Sequence, residues 1–109
     1  MMRILFDQGT PVGIRDSLSE HFVRTVRQQG WSTLLNGELL RAAEEAGFDV
    51  LLTTDKNLAH QQNLRNRRIA IVALGRSRWS LIQPALSRIL AAVTAAQPGT
   101  FRVVEIPDK

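Results

Sequence analysis

Two aspartates stand directly behind short apolar runs. Asp7 closes Arg3-Ile4-Leu5-Phe6, and Asp55 follows the run Phe48–Thr53 with one Thr between. Runs of this kind read as buried strands, and the carboxyl ends of strands in an open parallel sheet are where ligands bind. If the two strands are neighbours, both carboxylates project from one sheet edge and repel each other. A divalent cation relieves that repulsion, and Mg²⁺ is commonly held by one or two carboxylates while keeping several waters. Glu38, in the first turn of an expected helix, is a candidate third oxygen ligand. Each acid also has a structural reading. Asp55 can cap a helix beginning at Lys56, and Glu38 can simply oppose the positive end of a helix dipole. For Asp7 the structural reading is thinner, because Thr10 and Pro11 already supply the start signal of the next helix. Asn36 reads as a helix cap before it reads as a ligand.

Other chemistries are excluded by what the chain lacks. Without cysteine there are no disulfides, thiolate-zinc sites or thiol nucleophiles. His21 and His60 have no partner at metal-ligand or triad spacing and read as surface residues. No Gly-x-Ser-x-Gly elbow or glycine-rich phosphate loop occurs, so nothing supports a covalent mechanism. The charge distribution is more informative. Of 14 basic residues 12 are Arg, and the formal net charge is +4. Residues 1–55 sum to −3, whereas residues 56–104 carry eight basic side chains and no acid. The first half thus holds the carboxylates available for chemistry, and the second half is suited to a polyanion or is simply a solvated Arg-rich surface.

The elements that must position these groups follow from the hydrophobic pattern. Short apolar runs alternate with amphipathic stretches, as in a parallel sheet with crossover helices. Strands are expected at Arg3–Phe6, Phe22–Val26, Phe48–Thr53, Ile69–Leu74 and Phe101–Ile106. Helices are expected from a Thr10 cap and Pro11 to about Glu20, over Glu38–Ala46 with Asn36 as cap and Gly47 as stop, over Lys56–Asn63, and from about Ser80 to Ala95 with Pro84 near its start. With 109 residues and 12.2 kDa, the chain has room for one α/β domain, residues 1–109, with about five strands. No apolar run is long enough for a signal peptide or membrane span, so a soluble, cytoplasmic protein with no membrane partner is expected. The apolar last helix, with Leu86, Ile89, Leu90 and Val93, is either ordinary core or a homodimer surface.

The segments Met2-Arg3-Ile4-Leu5-Phe6-Asp7-Gln8-Gly9-Thr10-Pro11, Asn36-Gly37-Glu38-Leu39-Leu40 with Ala42 and Ala43, and Val50-Leu51-Leu52-Thr53-Thr54-Asp55-Lys56-Asn57-Leu58 together resemble the small PIN-like family of toxin-type proteins, similar to the Mut7-C group. The resemblance covers about residues 2–92. It implies a three-layer α/β/α sandwich around a mainly parallel PIN-like sheet, whose clustered acids bind Mg²⁺ or Mn²⁺ and cleave RNA, often as the toxin of a toxin–antitoxin pair with a protein antitoxin as partner. By position, Asp7 matches the family's first acid and Asp55 the acid after the third strand. Two positions depart from the pattern. Asn36 stands where relatives commonly have Asp, leaving Glu38 as the nearest acid, and Asn57-Leu58 replaces a second Asp. Asn36 and Asn57 still offer amide oxygens as additional ligands, but without charge.

On this reading Asp7, Asp55 and Glu38 are the catalytic and metal-binding set for phosphodiester hydrolysis of single-stranded RNA. Arg76 and Arg78, just past the fourth strand, and Lys56 are candidates to clamp phosphate. Trp79 either stacks on an unpaired base or belongs to the core. Arg65, Arg67 and Arg68 either track the RNA backbone or form a solvated loop. The alternative is a weakly active or inactive PIN-like module that binds nucleic acid or a protein partner. A phospho-acceptor receiver domain is a third reading, disfavoured because Gln8 stands where an acidic pair is needed.

Overall fold

A computed structural model describes residues 1–58, 64 and 66–107, with Asn36 described in its backbone only. Five strands, β1 (Arg3–Phe6), β2 (Phe22–Thr25), β3 (Val50–Thr53), β4 (Ala70–Leu74) and β5 (Phe101–Val104), form one sheet in the order β2-β1-β3-β4-β5. Every pairing is parallel. The sheet is buried on both faces, which is why β3 and β4 are apolar at nearly every position instead of alternating. This order is one of the two common doubly wound arrangements, and it puts the reversal of strand order between β1 and β3.

Side-chain alternation sorts the core into two layers. Ile4, Phe6, Val50, Leu52, Val72 and Leu74 face one way, onto a 3₁₀ segment (Val12–Leu18) and the C-terminal helices. Leu5, Leu51, Ile69 and Ile71 face the other way, onto helix α1 (Asn36–Glu45) through Leu39, Leu40 and Ala43. The result is a three-layer α/β/α arrangement. Helix α1 ends as its glycine requires. Gly47, at φ +84°, donates its N–H to Glu44 O, and Phe48 N–H reaches back to Ala43 O. Glu44 then ties this helix end to β4. Its carboxylate accepts hydrogen bonds from the Arg67 guanidinium (2.6 Å) and the N–H groups of Arg68 (2.6 Å) and Ile69 (3.4 Å). Burial pushes the Glu44 carboxyl up, but these donors outweigh it and leave the group below the ordinary carboxylate value.

Four expectations about local structure need correction. Thr10 does not cap a helix. Its buried hydroxyl donates to Leu52 O (3.0 Å), tying the first loop to β3. Pro11 is left at the cap position with no side-chain oxygen to offer, Gly13 lies in the first turn, and the chain winds as a 3₁₀ segment where an α-helix was expected. Asn36 does not cap α1 either, because Leu35 holds the extended cap conformation and Asn36 is the first helical residue. The long last helix is broken. Helix α2 (Trp79–Ile82) and helix α3 (Leu86–Thr94) are separated by a 3₁₀ turn, Gln83–Ala85, around Pro84, which has no N–H to continue the ladder. The helix expected over Lys56–Asn63 lies largely outside the described residues. In the last helix Ile89 and Val93 are core, Leu86 packs against it, and Leu90 alone of the four is exposed. No described helix is long and apolar enough to cross a membrane.

Candidate functional site

The ladder between β1 and its neighbours runs one residue past the strands. Asp7 N–H donates to Leu52 O (2.9 Å) and Val26 N–H to Phe6 O (2.9 Å). Asp7 is therefore held in register, between Val26 on one side and Thr53 on the other, at the carboxyl edge of the sheet. By alternation its side chain lies on the α1 face, the same face as Thr53. Its Oδ1 accepts the N–H of Gln8 (2.8 Å) and its Oδ2 accepts the hydroxyl of Thr53 (2.8 Å). Thr53 is fully buried, and the same hydroxyl oxygen accepts the N–H of Asp55 (3.0 Å). One hydroxyl thus spans the point where strand order reverses and links Asp7 to the backbone of Asp55.

The loop after Asp7 turns at a glycine, and Asp7 itself is half-buried. Gly9 takes a left-handed conformation (φ +86°), and a Cβ there would also press on Thr54 Oγ1 at 3.3 Å. A cleft of about 470 Å³ opens between this loop and the exit of β2, with Asp7, Gln8, Val12, Thr25, Arg27 and Ser32 on its walls. A smaller pocket of about 170 Å³ lies on the α1 side and also reaches Asp7, among Leu34, Leu35, Leu39 and Leu58. Gln8, which lines both, donates from Nε2 to Ser32 O (3.2 Å).

The acids expected to act together are only partly joined. Asp55 is exposed and its Oδ1 accepts the N–H of Asn57 (2.9 Å), so it does cap the turn that follows β3. Glu38 is exposed in the first turn of α1 and lines neither cavity. Among the described residues no three His, Asp or Glu side chains gather into a group that could hold a metal ion. The donors that remain fit a sparse, water-rich site. Among the described residues each oxygen of Asp7 accepts a single hydrogen bond and keeps a lone pair, and Asp55 Oδ2 has no partner. A carboxylate or two with solvent completing the shell suits Mg²⁺ or Mn²⁺.

Lys56 is exposed beside Asp55, and Asn57 is exposed in the same turn. Arg76 and Arg78 are exposed just past β4, at the same edge of the sheet as Asp7. The indole of Trp79 lies over Gly13, where a Cβ would come within 2.8 Å of Cη2, so its packing is a structural duty; 38% of the residue is exposed. Arg67 is committed to Glu44 and cannot also track a polyanion without breaking that pair. His60 and Arg65 lie outside the described residues. His21 departs from expectation, because it is half-buried and its Nδ1 accepts Met2 N–H (3.0 Å) at the opposite edge.

Comparison with family models, with curated proteins and with solved structures finds no match for this chain. Reading the sequence missed Thr53, Gln8 and Arg27. Arg27 lies two residues past the end of β2, next to Val26, which is level with Asp7, and the strand-end rule extended one residue further at every strand would have singled it out. Its guanidinium makes no hydrogen bond or ion pair with a described residue.

Proposed function

We propose that the chain is a metal-dependent ribonuclease of PIN-like type that cleaves single-stranded RNA, with Asp7 as its central metal ligand and Asp55 as the companion acid. The observation that carries this reading is the placement of Asp7: a carboxylate at the carboxyl edge, beside the reversal of strand order, with free lone pairs and an open cleft in front of it. Mg²⁺ or Mn²⁺ bound there supplies a Lewis acid for phosphate oxygens and a bound water of lowered pKa. The protein's own part is orientation and charge. Thr53 fixes the plane of the Asp7 carboxylate, and Arg27, Lys56, Arg76 and Arg78 surround the edge with positive charge that favours a phosphodiester. Action as the toxin of a toxin–antitoxin pair, held in check by a protein antitoxin, belongs to the same proposal.

A second reading, a module that binds RNA without cutting it, is favoured by the lack of a three-acid group among the described residues. Incubation of an end-labelled unstructured RNA with Mg²⁺, Mn²⁺ or EDTA separates the two. Cleavage is expected with either ion, none in EDTA, and a fall of about a hundredfold or more in Asp7→Asn. RNA that stays intact with both ions yet shifts in a gel with the wild-type protein supports the binding module.

A further inference from the structure

We infer that the cleft between the β1 and β2 exits is a ribonucleotide subsite, in which Arg27 holds a phosphate and the wall carrying Val12 covers the base. This inference rests on the proposal that the substrate is RNA. Its volume, about 470 Å³, falls within the range of roughly 300–1,000 Å³ typical of small-molecule sites. Its walls divide by chemistry. Val12 is an apolar side chain 65% exposed on its wall, which buried Phe6 and Val26 also line, a surface that gains by being covered with the flat face of a base. Gln8 gives one Nε2 hydrogen to Ser32 O and keeps its second Nε2 hydrogen and its amide oxygen, and the Ser32 hydroxyl makes no bond to a described residue. These two can read a base edge or a ribose hydroxyl. Arg27 has no partner among the described residues, and its planar fork matches phosphate. Asp7 lines the same cleft, so a nucleotide seated here carries its phosphodiester to the proposed reaction centre.

The charge pattern makes an unusual prediction. In the absence of a divalent cation the Asp7 carboxylate opposes the phosphate that Arg27 attracts. Asp7→Asn, the change expected to abolish cleavage, should then tighten nucleotide binding in EDTA.

The test uses the full chain, EDTA, and adenosine and uridine 5′-monophosphates as probes, with amide chemical shifts as the readout. Shifts are expected at Gln8, Arg27 and Ser32. Arg27→Ala should weaken either monophosphate about tenfold or more and leave the nucleosides unchanged, whereas Asp7→Asn should tighten the monophosphates about two- to fivefold. An unstructured RNA oligomer should displace the bound nucleotide. The inference is overturned by shifts confined to other regions, by Arg27→Ala affecting nucleotide and nucleoside alike or neither, or by RNA that fails to compete. Nucleotide binding of the expected pattern with RNA left uncut would remove the ribonuclease reading alone; RNA cut with no shifts in the cleft would remove the subsite alone.

Discussion

The two ends of the sheet spend their charged residues differently. At the amino edge Asp49, Arg3 and Glu44 each have a partner in the fold. Asp49 Oδ2 accepts Arg3 N–H (2.8 Å), the Arg3 guanidinium donates to Ala46 O (3.3 Å) and lies 4.5 Å from the centroid of Phe22, and nearby Glu44 is closed by Arg67 and two backbone donors. At the carboxyl edge Asp7 is held by two hydrogen bonds yet faces an open cleft. Thr53 and Gln8 fix the Asp7 carboxylate and leave lone pairs on it, while Arg27 beside it has no described partner. An acid that completes a structural network is expected to matter for folding, and one that is aimed and left open is expected to matter for chemistry. The contrast separates residues that look equivalent in sequence.

The sharpest way to break the comparison is to exchange the two acids' fates. Asp7→Asn keeps one oxygen to accept Gln8 N–H and turns an amide N–H toward Thr53 Oγ1 in place of the second acceptor, so it should abolish RNA cleavage at a stability cost of no more than about 1 kcal/mol. Asp49→Ala should cost about 1 kcal/mol through the loss of the Arg3 N–H acceptor with cleavage retained. If Asp7→Asn unfolds the chain instead, the carboxyl edge is structural like the amino edge.

Glu44→Gln comes next in effect. Removing a charge that holds Arg67 and two N–H groups should cost about 1–2 kcal/mol, discounted for the 12% exposure of the Glu44 side chain. The pH dependence follows from the direction of its pKa. A carboxyl lowered by folding contributes stability that is fully present above its unfolded value of 4.5 and is lost as the pH falls through the lower folded value. Denaturant titrations should therefore show the wild-type advantage over Glu44→Gln shrinking below pH 4.5. An advantage that persists undiminished in acid would mean that Glu44 works through packing and not through charge.

Much of the fold was legible because burial on both faces writes itself into composition. The run Ile69–Leu74 could only be a covered strand, and Phe22–Thr25, flanked by turn residues, also formed where the pattern placed it. The start signals were less legible, because a cap is chosen by competition. Thr10 looked like a helix cap, but a carbonyl forty-two residues away in β3 claimed its hydroxyl, and no local pattern announces that. The site was legible in part for the same reason. Asp7 and Asp55 were visible as strand ends, yet Thr53, the hydroxyl that joins them, reads in sequence as one more β-branched residue. Glu38 had the right charge in the right turn of α1, but the helix presents it to solvent, away from both cavities.

A titration with Mn²⁺ alone, followed by paramagnetic broadening of backbone amides, tests most directly whether the carboxyl edge is the chemical one. Broadening at substoichiometric ion is predicted at Asp7, Gln8 and Thr53–Asp55, and its loss in Asp7→Asn. Broadening centred on acids elsewhere, such as Glu44 and Glu45, with the amides around Asp7 left sharp, would contradict the account.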